Sequence, residues 1–275
     1  GVACSRERGG SVGLSDVVYG VYERRLYAQI PPERRPRHVG VILDGNRRWA
    51  SEQGATSSAG HRAGAAKIVE FLGWCDEAGV EVVTLWLLST DNLNRPPAEL
   101  EPLLGIIEDT VSDLVGQGRW RLHPVGALDL LPARTSRVLK EAEEATSTID
   151  GSLVNVAVGY GGRREVVDAV RSLLHEHATH GTSLDELAAL LEPEHIAEHL
   201  YTRGQPDPDL VIRTSGETRM SNFLLLQAAY AEWYFTPVLW PDFTREHLAA
   251  AIADYHRRER RFGQTSDQVR PAAKS

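Results

Sequence analysis

The chain has 275 residues, enough for one large domain or two small ones with a substantial core. Apolar residues make up 42% and charged residues 25%, an ordinary balance for a water-soluble globular protein. A net charge of −8 argues against a dedicated nucleic-acid binder, and no apolar run approaches the roughly 18–20 residues needed to span a bilayer.

The N-terminus shows no apolar signal core. Cys4 and Cys75 are too few for a metal cage and suit a reducing compartment, so a cytoplasmic protein with at most peripheral membrane association is expected. Residues 1–14 read as a flexible N-terminal segment ahead of one domain over 15–275. Val17, Val18, Val21, Tyr22 and Leu26 then fall near helical spacing, predicting a leading helix over Ser15–Tyr27.

Short apolar runs rich in β-branched residues alternate with longer amphipathic stretches. Strands are predicted at Val39–Leu43, Val80–Leu88, Trp120–Val125, Leu153–Val158, Leu210–Arg213 and Trp233–Phe235. Helices are predicted at Gly60–Ala78, Pro97–Leu114, Ala133–Glu144, Arg163–Glu176 and Asn222–Tyr230. A last helix, capped by Thr244, runs through Ala249–Tyr255 into a charged stretch ending at Arg261. Continuous apolar strands separated by helices predict an α/β fold, a mostly parallel sheet covered on both faces, with ligands at its C-terminal strand ends.

Three of these strands end in polar, arginine-bearing loops. The first gives Asp44-Gly45-Asn46-Arg47-Arg48-Trp49 and then a helical pattern. An aspartate at a strand end can hold a hard cation such as Mg²⁺, a glycine admits close approach of a ligand, and arginine forks suit phosphate. On its own this run is also compatible with an Asp-Gly turn and solvent-facing arginines. The second loop carries Ser89, Asn92 and Arg95, and the third carries Arg213, Arg219 and Ser221 before the predicted Asn222–Tyr230 helix. Convergence of three such loops in an acidic chain points to a phosphate ester or diphosphate ligand.

Glu232 lies in an aromatic setting and needs a partner, for which either a metal or an arginine would serve. His61, at a helix start, stands apart from the histidines scattered on polar stretches. Gly159-Tyr160-Gly161-Gly162 fails as a dinucleotide fingerprint because Arg164 occupies the last glycine position, and neither a Walker lysine nor G-x-S-x-G occurs.

Taken together, HVGVILDGNRRWA, AGHRAGAAKIVEF, STDNLNRP, NVAVGYGGRRE, DLVIRTSGETRMSNFLLLQAAYAEWYF, LWPDF and RRFG resemble the cis-prenyltransferase (undecaprenyl diphosphate synthase) family from His38 to Gly263. The aspartate-rich boxes of the trans-type synthases are absent. The resemblance implies a six-stranded mostly parallel sheet with a hydrophobic tunnel and a homodimer. It implies an Mg²⁺-dependent condensation of isopentenyl diphosphate with an allylic diphosphate. Asp44 resembles the essential aspartate at the metal, with Glu232 its companion near the partner's site. Asn46, Arg48 and Arg95 resemble holders of the allylic diphosphate, with the backbone from Gly45 to Arg48 contributing, His61 close by, and Arg47 and Trp49 also expected to bind substrate. Arg213, Arg219 and Ser221 resemble the cradle for isopentenyl diphosphate, and Ser89 and Asn92 lie near the reacting carbons. Asn46 and the diphosphate itself are both open as proton acceptor.

Ser57 stands where long-chain members usually have a phosphate-binding arginine, Thr218 replaces a frequent histidine, and Leu226 departs from the commoner FLLW. Arg47, where many members carry glycine, offers a compensating charge. Bulky Trp86, Leu87 and Leu88 occupy the strand that sets product length in the family, and Leu87 should shorten the cavity. The expected product is therefore C15 Z,E-farnesyl diphosphate from geranyl diphosphate, as in actinobacterial short-chain enzymes. The alternatives are head-to-middle joining of two allylic diphosphates on the same fold, or a non-catalytic polyprenyl-diphosphate-binding partner subunit.

Overall fold

A computed structural model describes residues 30–31 and 34–258. The predicted leading helix, residues 1–14 and the charged stretch beyond Arg258 lie outside the described residues.

Six parallel strands form one sheet in the order β3-β4-β2-β1-β5-β6. They are β1 (His38–Ile42), β2 (Val82–Ser89), β3 (Arg121–Val125), β4 (Leu153–Tyr160), β5 (Leu210–Arg213) and β6 (Glu232–Phe235). Every residue of β1 and β5 is buried, which is why these strands read as unbroken apolar runs rather than alternating ones. One face packs the larger core, around Phe71, Leu85, Leu114, Trp120 and Trp240. The other packs Ile42, Ala157, Val211 and Phe223.

The helices are α1 (Asn46–Glu52), α2 (Ser57–Ala78), α3 (Pro97–Gln117), α4 (Ala133–Thr146), α5 (Gly162–Thr179), α6 (Leu184–Leu190), α7 (Pro193–Ala197) and α8 (Arg245–Arg257). Their ends follow from local chemistry. The Thr56 hydroxyl accepts the Ala59 N–H and starts α2, and Gly79 ends it in the left-handed region. The proline at the start of α3 and Gly118 after it play the same parts. Thr244 caps α8 as expected.

Two expectations need correction. The short α6 and α7 were not predicted as separate helices. The predicted Asn222–Tyr230 helix does not form: the segment is a chain of turns, with Ser221 at φ 57° and Leu224 at φ 45°. Side chains with left-handed backbone break the helical path, and outside partners hold them there. Phe223 stacks on Trp86 at 5.1 Å between ring centroids, and the Leu224 N–H donates to the Tyr160 hydroxyl.

The chain winds from β1 toward β2 and β4 on one side, and toward β5 and β6 on the other. The reversal falls at the β1–β5 pair, where an open α/β sheet leaves a crevice past its strand ends.

Candidate active site

A cleft of about 1140 Å³ opens at that crevice. Six arginines line it (Arg47, Arg48, Arg95, Arg163, Arg213 and Arg219) against three acids (Asp44, Asp91 and Glu217). In a chain of net charge −8, this local excess of cation marks an anion site.

The β1–β5 junction supplies its centre. Asp44 follows β1, and Arg213 ends β5 with its side chain only 6% exposed. Arg213 donates Nε–H and Nη2–H to Asp44 Oδ2 at 3.1 and 2.8 Å. Its Nη1 donates to Ser221 Oγ at 2.6 Å and to the Arg219 carbonyl. Four of the five guanidinium donors are thus spent on the protein. Arg213 ties the aspartate to the loop that carries Arg219 and Ser221. Arg219, more exposed, pairs with Glu217 at 2.6 Å.

The other wall is the start of α1. Gly45 has φ 112°, and a Cβ there would press on Leu239 at 3.0–3.1 Å, so glycine alone fits the turn into α1. Gly60 and Gly64, one turn apart on α2, face Asn46, and a side chain at either would collide with it. This close approach buries Asn46 Oδ1 without a partner among the described residues, while its amide donates weakly to the Leu43 carbonyl at 3.3 Å. Arg48 donates to the Ser215 carbonyl across the cleft at 3.0 Å. His61 lies half-buried beside Arg95 and Arg47; burial first, then those two cations, hold its pKa below the ordinary value. Its neutral ring can then accept or donate one hydrogen bond at pH 7.

The apolar floor comes from β2. Trp86, Leu87 and Leu88 are consecutive, yet all three line the cleft. Simple alternation would turn Leu87 to the other face. The β2–β4 register shifts between Trp86 and Leu88 and again before Ser89, so a bulge re-aims the strand here. Past it, the Asn92 N–H donates to Ser89 Oγ and the Ser89 N–H to Asn92 Oδ1, at 3.1 and 3.4 Å. That reciprocal pair shapes the turn presenting Arg95.

One residue is not where the sequence put it, and Glu232, expected at a partner's site, lies away from the cleft of its own chain. Trp49 turns away, donating its indole N–H to Asp242 at 2.8 Å, and does not border the cleft. Glu232 opens β6, at the end of the strand opposite the cleft, and pairs with Arg258 at 2.8 Å. Of the two partners open to it, the arginine is the one present within the chain. Ser57 is exposed at the start of α2 and also stands outside the lining. Sequence reasoning missed Arg163, which lines the cleft just past β4; its signal lay in the GGRR run, which fails as a nucleotide motif and belongs to the family resemblance but was given no role of its own.

The metal question turns on donors. Among the described residues no group of three or more His, Cys, Asp or Glu could hold an ion. Asp44 keeps Oδ1 free of hydrogen bonds from the described residues, with its side chain 39% exposed to the cleft. One carboxylate with room for substrate phosphates suits Mg²⁺, which seldom uses an all-protein cage.

The Prenyltransf family of undecaprenyl diphosphate synthases matches residues 42–263. The chain belongs to this family. A (2Z,6E)-farnesyl diphosphate synthase of Thermobifida fusca is 62% identical, over 90% of this chain and 97% of its own. An isoprenyl transferase 1 of Streptomyces avermitilis is 56% identical, over 88% of this chain and 94% of its own. Among solved structures, lavandulyl diphosphate synthase of Lavandula x intermedia, in complex with dimethylallyl diphosphate, aligns at a TM-score of 0.78 and 34% identity, covering 84% of this chain and all of that one. Membership makes the chain a prenyltransferase. No helix among the described residues is long and apolar enough to cross a membrane.

Proposed function

We propose that the protein is a short-chain cis-prenyl diphosphate synthase, condensing isopentenyl diphosphate with geranyl diphosphate to C15 (2Z,6E)-farnesyl diphosphate. The observation that carries this reading is one cleft that joins a cluster of arginines to an apolar lining of bulky Trp86, Leu87 and Leu88. The name of the Thermobifida relative supports the product length. Head-to-middle joining is not favoured by the names of the relatives.

The residues divide the work as follows. Arg47, Arg48 and Arg95, with His61 and the N–H groups at the start of α1, receive the allylic diphosphate. They meet the charge that grows on it as the C1–O bond breaks. Arg219 and Ser221, aligned by Arg213, hold the isopentenyl diphosphate with its double bond toward that C1. A C–C bond forms as the allylic diphosphate leaves, and loss of a proton leaves the new Z double bond. Asn46, whose Oδ1 is buried without a partner among the described residues, and the departing diphosphate are the two candidate proton acceptors. Water exclusion falls to Leu43, Trp86, Leu87, Leu103 and Leu225 around the floor. Asp44 would hold Mg²⁺ through its free oxygen, and the ion, when bound, supplies Lewis-acid neutralisation of diphosphate charge. Glu232 could join a metal only from a second copy of the chain, so its role stands or falls with the proposed homodimer. A cytoplasmic setting, where these water-soluble substrates occur, is part of the same proposal.

The test is incubation with Mg²⁺ and labelled isopentenyl diphosphate plus dimethylallyl, geranyl or farnesyl diphosphate. A C15 Z,E product from geranyl diphosphate is expected. No incorporation with any acceptor refutes the proposal, and a branched product from dimethylallyl diphosphate alone replaces it with head-to-middle joining. Asp44→Ala should abolish turnover while circular dichroism stays native; near-normal rates would remove Asp44 from the site.

A further inference from the structure

The loop that carries Arg219 and Ser221 is held by a buried polar cluster outside the cleft. Glu165, in the first turn of α5, is 1% exposed. Its Oε2 accepts from the Tyr160 hydroxyl at 2.5 Å. Its Oε1 accepts from the Tyr201 N–H and from the Gln227 side-chain amide, both at 2.9 Å. Gln227 belongs to the loop, and its amide also donates to Thr202 at 3.0 Å. The Tyr160 hydroxyl, having given its hydrogen to Glu165, accepts the Leu224 N–H at 3.1 Å. Burial first, then Glu165, push the Tyr160 phenol well above its ordinary range, so it stays a donor.

These bonds meet the loop where its backbone is least able to hold itself. Leu224 and Ser221 both have positive φ without being glycine. Between them, the Asn222 carbonyl and side chain accept the Gly162 and Arg163 N–H groups at 2.8 and 2.9 Å. From Ser221 the linkage continues to Arg213 and Asp44. A route of direct contacts therefore runs from a buried carboxylate on α5 to the centre of the cleft.

We propose that the Tyr160 hydroxyl, aimed by Glu165, is a positioning group for isopentenyl diphosphate, setting the conformation of the 221–228 loop and with it the second diphosphate cradle. Tyr160 touches neither substrate. It acts through Leu224 and Ser221, and the assignment rests on the cleft's reading as a prenyl diphosphate synthase site.

The decisive variant is Tyr160→Phe, which removes one oxygen and keeps the ring packed against Trp86, Tyr201 and Phe223. With Mg²⁺ present, binding of isopentenyl diphosphate alone and of geranyl diphosphate alone is measured by calorimetry on the full chain. The expected result is an isopentenyl diphosphate Kd raised about tenfold, as for loss of a buried hydrogen bond, with the geranyl diphosphate Kd within about twofold. Amide exchange should accelerate over residues 221–228 and nowhere else. Gln227→Met, severing the loop's other tie to Glu165, should give the same split if Tyr160→Phe fails to fold. An unchanged isopentenyl diphosphate Kd, or equal losses for both ligands, overturns the positioning role. Failure of the wild-type chain to bind isopentenyl diphosphate would instead overturn the function on which it rests.

Discussion

Replacing Arg213 with lysine separates charge from geometry at the centre of the cleft. The arginine makes two bonds to Asp44 Oδ2 and two to the loop, through Ser221 Oγ and the Arg219 carbonyl. A lysine ammonium keeps the charge but cannot span both partners from one rigid fork. It would stay with Asp44, the only anion among them, and release the loop. Two bonds from a charged donor at about 1.5–3 kcal/mol each set the upper limit of the loss. Solvent reaches the cleft, where the Asp44 side chain is 39% exposed, so a net of about 2–3 kcal/mol is a better figure. That corresponds to a fall of roughly 30- to 150-fold in kcat/KM. The assay is steady-state incorporation of labelled isopentenyl diphosphate with each substrate varied in turn. The isopentenyl diphosphate KM should carry most of the change, since the loop's residues serve that substrate. If Arg213→Lys stays within about threefold of wild type, the fork is not what organises the cradle and the reasoning fails.

Leu87→Ala removes one of the obstructing side chains on the cleft floor and should shift products from C15 toward C20 and longer, read by chromatography of the dephosphorylated alcohols; unchanged C15 would assign Leu87 to packing alone. His38 is 1% exposed, between the Pro206 carbonyl and the Thr84 hydroxyl, and burial lowers its pKa to about 4. Because the unfolded chain protonates first, near the ordinary pKa of about 6.5, stability is fully present above that pH and falls as pH drops toward 4, by about 3 kcal/mol in all. Urea unfolding at pH 7 and pH 4.5 should show this slope in wild type and lose it in His38→Asn.

How much could be read from sequence depended on whether a feature is local. The ends of β1, β2 and β5 were legible because a buried parallel strand must be apolar throughout, and the first polar residues after it mark the functional edge of the sheet. Asp44, Arg95 and Arg213 follow directly. The Asn222–Tyr230 helix was a false reading for the opposite reason. Its apolar spacing fits a helix, but Phe223, Leu224 and Gln227 are committed to Trp86, Tyr160 and Glu165, partners some 60 to 140 residues away in the chain. Trp49 failed similarly: its neighbours Arg47 and Arg48 reach the cleft, while a distant Asp242 draws the indole elsewhere.

Those misreadings share a physical cause. Strand order β2-β1-β5 brings Asp44 and Arg213 together across 169 residues of sequence, and only the winding reversal makes them neighbours. Once that bond exists, Arg213 can present few free donors to a ligand, because four of its five hold protein. On the proposed function, anion capture then falls to the more exposed Arg219, while Arg213 fixes where that capture occurs. Two arginines that look equivalent in the motif are thus divided by burial, and the loop that follows Arg219 is tied in turn to an anchor as deep as Glu165. A helix there would have satisfied its own backbone; the turns observed leave the Leu224 N–H to Tyr160, and geometry at the cleft becomes dependent on a hydroxyl that never reaches it.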